Sequence, residues 1–351
     1  MKNDWNTGTA LEGKDVLNNL TRERLLELES APRTPLRLFC DYLICFLPVL
    51  AGCVALAEYL LVPNLKGNQS TDTYTWFLGV LTALSLAAFL LSFRFRRVFY
   101  RLRYKAPFYA FVFLLLAGYD LLTLKHGTLM LPYFPWVDDV LNAAWQDKAY
   151  LFDCTLNSLF LLFSGYFVGA GLGLVTGVAC GYSRSVDYWV APFMKLLGAI
   201  PSPTWIPVVM VVASSLFTGS VFIIALGVWY SLTIATMTGI RNIDRSFYEA
   251  ARTLGARPSQ LVLNVALPFA LPNILQGLTQ GMSSACMALI VAEMVGVESG
   301  LGWYVTWQKS WAQYGKMYAA IIVLCIVFVS VNWALSRIRR RLLRWQEGVV
   351  Q

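Results

Sequence analysis

The sequence is poor in charge and poorer still in the residues that build reactive centres. Of its 351 residues 14% are charged and 57% hydrophobic, and the mean hydropathy is +0.57. A soluble chain needs roughly a quarter of its residues charged to cover its surface. His126 is the only histidine, which argues against a histidine-based metal or catalytic centre. The seven cysteines (40, 45, 53, 154, 180, 286 and 325) form no C-x-x-C pair and lie in or beside apolar segments. They read as small buried hydrophobes, not as a disulfide framework or a metal site. No G-x-x-x-x-G-K-[ST] is present, so the backbone phosphate cradle of an ATPase is missing. Energy must come from another polypeptide or from an ion gradient. The first 39 residues hold no apolar core of a cleavable leader.

Long apolar runs fill the space that charge leaves. Each is long enough to cross a ~30 Å hydrocarbon layer as a helix. Read with their flanking charges, they place eight spans near 42–62, 75–93, 107–124, 155–181, 190–214, 217–239, 270–292 and 317–336. With the N-terminus inside, lysine and arginine sort to one side. The tail before residue 40 has six, the expected loop "RFRRVFYRLRYK" at 94–105 six, 182–195 two, 240–260 four and "RIRRRLLR" five, or 23 of 28. Lys66, Lys125, Lys148, Lys309 and Lys316 fall outside. The positive-inside rule then puts both termini in the cytoplasm. The net charge of +8 is thus a topology signal. Its basic runs adjoin spans, where they anchor the chain and meet anionic lipid headgroups; nucleic acid is not an expected partner.

Ionisable residues are also scarce inside the spans. The fourth, sixth and eighth carry none, and Glu58, Asp120, Lys195 and Glu293 lie towards span ends. A gradient-driven secondary transporter usually needs carboxylates or histidines near the midplane, so that class is the weaker alternative. A membrane-embedded enzyme has no support, because no nucleophile or metal constellation is visible. Glu293 and Glu298 are expected to face the outside, as solvated loop residues or as an outer gate or docking contact. Glycines 165, 169, 173, 177 and 181 recur every fourth residue and read as a helix-packing stripe, with a pore-lining role as the lesser reading. Pro201, Pro203 and Pro207 lie within the fifth span. They predict either a structural kink or a bent helix bordering a translocation path, with Ser202 and Thr204 as polar contacts.

One polar island interrupts this pattern. "FYEAARTLGARPSQLVLNVALP", 247–268, lies in the loop 240–268, which the charge count places in the cytoplasm. Ser246 and Glu249 fit an S-x-x-E capping box, Gly255 fits a left-handed helix stop, and Pro258 suits the start of a second helix. Pro268 would precede the next span. A helix–turn–helix across the cytoplasmic face is expected. Whether Glu249 only caps a helix or meets a partner stays open on these grounds.

Glu249-Ala250-Ala251, Gly255, Val265 and Leu267-Pro268 stand at the spacing of the cytoplasmic loop signature of permease subunits of ABC importers, which this chain resembles. Many members have isoleucine where Val265 stands. "GIRNIDRSFYEAARTLGA", "LPFALPNILQGL", "LIVAEMVGVESGLGW" and "LPYFPWVDDV" resemble the taurine, aliphatic sulfonate, nitrate and bicarbonate branch. The resemblance covers about 106–351 and implies an all-α polytopic fold of about eight spans. Six form a type I importer core at 106–351, and two form an extension at 40–105 behind the tail 1–39. It implies a bacterial cytoplasmic membrane, a second permease subunit (as a homodimer) and an external solute-binding protein. It also implies separate ATPase subunits that bind ATP and magnesium, this chain binding no cofactor or metal. The loop would seat on the ATPase as a coupling helix, with Ala250 and Ala251 allowing close approach and Gly255 the turn. No family role carries onto residues 1–105.

Overall fold

A computed structural model describes residues 35–65, 68, 70–129 and 131–343. The tail before residue 35 and the last part of the terminal basic run lie outside them. All regular structure among the described residues is helical. Among the described residues seven helices are long and apolar enough to cross a membrane, and one sharply bent helix pair makes an eighth if it counts as a single broken crossing.

The chain divides into two compact units. The first holds α1 (Pro35–Leu61), most of α2 (Thr73–Arg94) and α3 (Arg96–Asp120). Its core sets Cys45 against Phe99 and Leu102, and buried Asp41 pairs with Arg103 at 2.6 Å. The basic stretch 94–105 is therefore not a loop. Phe95 alone leaves helical geometry, at φ −123° and ψ 108°, and the rest winds straight into α3. Arginine and lysine are good helix formers, and nothing between Arg96 and Lys105 breaks a helix. The expected boundary at 105/106 thus falls within one helix, and this unit has three long helices where two were expected.

The second unit comprises 65–74 and 122–351. A π turn, Leu121–Lys125, closes α3, and α4 (Val137–Gln146) follows. Asp138 in the first turn of α4 accepts from Thr71 N at 2.6 Å and Tyr74 N at 3.0 Å, which pins 65–74 to this unit. The centre is a bundle of α5 (Lys148–Tyr182), α8 (Leu216–Arg241) and α11 (Leu267–Gly296). Leu162, Ile223, Ile224, Val228 and Leu289 fill its core. The glycine stripe lies along the α5–α8 seam. A Cβ at Gly177 would stand 2.6 Å from Thr236 Cβ, and one at Gly165 2.6 Å from Ile224 Cβ. In lipid, helices associate through such close packing because burial from water contributes nothing there. The stripe is a packing device. The outward faces carry Phe160, Phe167, Leu172 and Val175, as a lipid-facing surface should.

The span expected over 190–214 is instead two segments bent by 91°, α6 (Arg184–Ala199) and a 3-10 turn (Ser202–Trp205) leading into α7 (Ile206–Val212). Ile200, ahead of Pro201, is extended at φ −116° and ψ 117°, as a residue before proline prefers. Pro207 sits in the first turn of α7, where its missing N–H costs nothing. At 16 residues, α6 is shorter than the ~20 needed to cross alone. The last described helices are α12 (Leu301–Ser310) and α13 (Tyr314–Leu342).

Candidate functional site

The polar island forms α9 (Arg245–Thr253), none of whose residues is buried. Its start differs from expectation. The N-cap is Asp244, whose Oδ1 accepts from Ser246 N at 3.0 Å. Ser246 is inside the helix, so the Ser246–Glu249 capping box does not form. Asp244 wins because it stands two residues earlier, in β-region geometry, and aspartate is among the strongest caps. That backbone hydrogen bond, with help from the Ser246 side chain, holds the Asp244 carboxyl below its ordinary pKa. Glu249 is exposed and its carboxylate caps nothing; its carbonyl accepts from Thr253 Oγ1 at 2.9 Å. Ala250 is exposed and Ala251 half-buried.

The far end of α9 is as expected. Gly255 takes φ +79°, its N–H reaches Arg252 O at 2.9 Å, and Ala256 N reaches Ala251 O at 3.0 Å. That pair of bonds is a Schellman motif. A Cβ on Gly255 would touch nothing within 4 Å, so the demand for glycine comes from the backbone angle alone, about 1–2 kcal/mol.

The second arm is not a separate helix. Pro258 opens a short turn, α10 (Pro258–Gln260), where Arg257 N donates to Gln260 Oε1 at 2.8 Å. A π turn over Leu261–Ala266 joins it to α11 in one continuous 39-residue rod. Val265, Leu267 and Pro268 therefore lie within a helix. The wider turn absorbs the hydrogen bond that Pro268 cannot donate. Behind α9, Tyr248 packs against the buried cluster that includes Ile240, Ile243, Ala266 and Ala270. Arg241, unnoticed in the sequence except as a charge, pairs with Asp187 at 2.7 Å and donates to Cys180 O at 3.0 Å. It ties the ends of α5 and α8 to the start of α6. Outward, Phe247 and Leu254 remain 53% and 88% exposed, beside Glu249 and Arg252.

The proline segment contributes unevenly. Pro201 and Ser202 line a cavity of about 250 Å³ with Tyr230, Gln280 and Ser284; Pro203, Thr204 and Pro207 do not line it.

The two outer glutamates part company. Glu298 is exposed, but Glu293 is 1% exposed and does not face the outside. Its Oε1 accepts from Ser158 Oγ at 2.6 Å and its Oε2 from Gly302 N at 2.7 Å. Ser158 Oγ accepts in turn from Leu301 N at 2.9 Å. Two orphan N–H groups at the start of α12 are satisfied in this way. Gly302 makes room: a Cβ there would stand 2.8 Å from Glu293 Cβ. At the same end, Asp147 accepts from Tyr304 OH at 2.6 Å and pairs with Lys316 at 2.9 Å. Burial alone would raise the Asp147 pKa, but Tyr304 and Lys316 hold it below its ordinary value. Neither cluster was foreseen. The only sequence signal was a serine opposite "ESGLGW", two segments far apart in the chain.

Residues 169–344 match the family described as binding-protein-dependent transport system inner membrane component. The chain is 31% identical over 104 residues to the putative aliphatic sulfonates transport permease protein SsuC of Bacillus subtilis, covering 30% of this chain and 38% of that protein. It is 28% identical over 128 residues to the bicarbonate transport system permease protein CmpB of Synechococcus elongatus, 36% of this chain and 46% of that one. With the nitrate import permease protein NrtB of the same species it shares 27% over 104 residues, 30% and 37% of the two chains. It spans less than half the length of each of these relatives. Among solved structures, the inward-facing MetNI methionine ABC transporter aligns at TM-score 0.47 and 23% identity, over 56% of this chain and 97% of that one. An amino acid ABC transporter aligns at TM-score 0.48 and 18% identity, over 58% and 97%. The matched segment takes in the α9 surface, the bent pair of α6 and α7, and Glu293 with Gly302 but not Ser158, and the chain belongs to the family of binding-protein-dependent transport system inner membrane components.

Proposed function

We propose that this chain is the membrane-spanning permease subunit of an ATP-driven importer. It passes a small solute, an anion such as a sulfonate, taurine, nitrate or bicarbonate, from an external binding protein into the bacterial cytoplasm. It works as a homodimer in the cytoplasmic membrane, with both termini cytoplasmic, and with ATP and magnesium bound on separate ATPase subunits. The observation that carries this reading is α9. It is a nine-residue helix with no buried residue, fixed by a cap at one end and a Schellman motif at the other. An exposed helix held that firmly, with Phe247 and Leu254 outward, is a seat for another protein. Glu249 has no capping duty and is free to meet a basic residue of the ATPase. Movement of the seat passes to α8 through Tyr248, which packs against the cluster holding Ile240, and to α11 through the continuous rod. At the other end, exposed Glu298 is the better placed of the two glutamates for the binding protein, and Glu293 steadies the gate from within.

The test is ATP-dependent uptake by the full assembly with Glu249→Arg and with Gly255→Pro. Both should lose uptake at least tenfold while the protein stays in the membrane. Normal coupled uptake in both would remove the loop from its assigned role, and uptake driven by an ion gradient without ATP would favour a secondary transporter.

A further inference from the structure

The cavity of about 250 Å³ between the broken crossing, α8 and α11 is unusual for its chemistry and depth. Gly227 on its wall is near the midpoint of α8. Polar side chains reach the cavity from each of the three elements: Ser202, Tyr230, and Gln280 with Ser284. A Cβ on Gly227 would stand 2.7 Å from Ser284 Oγ and 2.9 Å from Ser202 Oγ, so two hydroxyls converge over one glycine. No hydrogen bond among the described residues engages these four side chains. By contrast, Ser231 on the same wall is satisfied by Gly227 O at 3.1 Å. At mid-membrane depth a polar group without a protein partner must be met by water or solute. A space of that size has room for several waters.

We propose that this cavity is a transient station for the oxyanion head of the transported solute, recognised by neutral donors and not by charge. The proposal rests on the permease reading above and adds that the pathway itself selects. Hydroxyl and amide groups can donate to sulfonate, nitrate or bicarbonate oxygens. No carboxylate lines the cavity to repel an anion, and no lysine or arginine lines it to hold one. A conducting site must attract enough to admit the solute and bind weakly enough to release it. Four uncharged donors meet both demands.

The test is thiol labelling of the full-length chain in membranes with a charged, water-soluble reagent, using ethanesulfonate, nitrate and bicarbonate as probes. Ser284→Cys is a near-isosteric change. It should label at least tenfold faster than Met287→Cys, which is 65% exposed on the same helix but outside the cavity. At least one probe should slow labelling threefold or more. Equal rates at 284 and 287 would show a dry cavity, and no slowing by any probe would show one that holds water alone; either overturns the proposal. Labelling does not depend on ATP. A negative result alongside intact ATP-dependent uptake would therefore sink the station and leave the permease reading standing. In the full assembly, Gln280→Glu adds a charge with almost no change of shape. It should lower anion uptake at least tenfold while the membrane level stays within twofold. Wild-type uptake by that variant would also overturn the proposal.

Discussion

Glu249 and Glu293 sit towards opposite ends of the same bundle and are treated in opposite ways. Glu249 is on a helix with no fully buried residue, held by one cap, one Schellman motif and the packing of half-buried Tyr248, with no long-range polar bond among the described residues. Glu293 is 1% exposed and held by Ser158, 135 residues away in sequence, and by Gly302 N. The first arrangement leaves the carboxylate available and makes the surface dispensable for folding. The second consumes the carboxylate in holding α12 to α5 and α11. A surface built for a partner and a clamp built for stability can thus be told apart by what remains unsatisfied.

The largest effect should come from breaking the clamp. Glu293→Ala leaves the Gly302 N–H and Ser158 without their acceptor, and each stranded buried donor costs about 1–3 kcal/mol. Thermal unfolding in detergent should show a loss of about 2–6 kcal/mol, with Ser158→Ala falling on the same interactions and failing to add to it. Full additivity of the two changes would mean that they do not share one network.

A smaller, local effect is expected at the other end. Gly255→Ala introduces only the left-handed backbone penalty, about 1–2 kcal/mol, since no atom stands in the way of the new Cβ. Amide exchange should speed up over Arg245–Thr253 while the unfolding temperature hardly moves. A global loss as large as that of Glu293→Ala would contradict the separation of surface from clamp.

The smallest effect concerns pH. The folded pKa of Asp147 is lowered, so its contribution to stability is present above the unfolded value of about 3.9 and is lost as pH falls through the folded value. Asp147→Asn should flatten the acid limb of the stability profile below about pH 4 and leave α9 exchange unchanged. An unaltered acid limb would show that Tyr304 and Lys316 do not act through this carboxylate.

What was legible in the sequence follows the same division. Gly255, the helix before it and the spans were readable because their causes are local: a left-handed stop, a run of apolar residues, a proline-broken segment. The cap was misplaced by two residues because Asp244 and Ser246 are both good caps, and only the chain's path decides between them. The second arm was read as separate because a π turn, which lets Pro268 lie inside a rod, leaves no clear mark in composition. The basic stretch that opens α3 was read as loop because charge was taken for exposure to water, whereas arginine and lysine at a helix start satisfy the same topology rule. Glu293 was expected to face the outside and is buried instead, because its partner Ser158 lies on another span.

The account stands or falls on α9 as the seat of a separate ATPase. The direct measurement is the amount of ATPase subunit that copurifies with the chain from membranes, compared for wild type, Glu249→Arg, Gly255→Pro and Glu298→Arg. The account predicts ATPase with wild type and with Glu298→Arg, whose change is at the far end, and its loss with the two α9 variants at equal membrane levels of the chain. Equal ATPase in all four would contradict it.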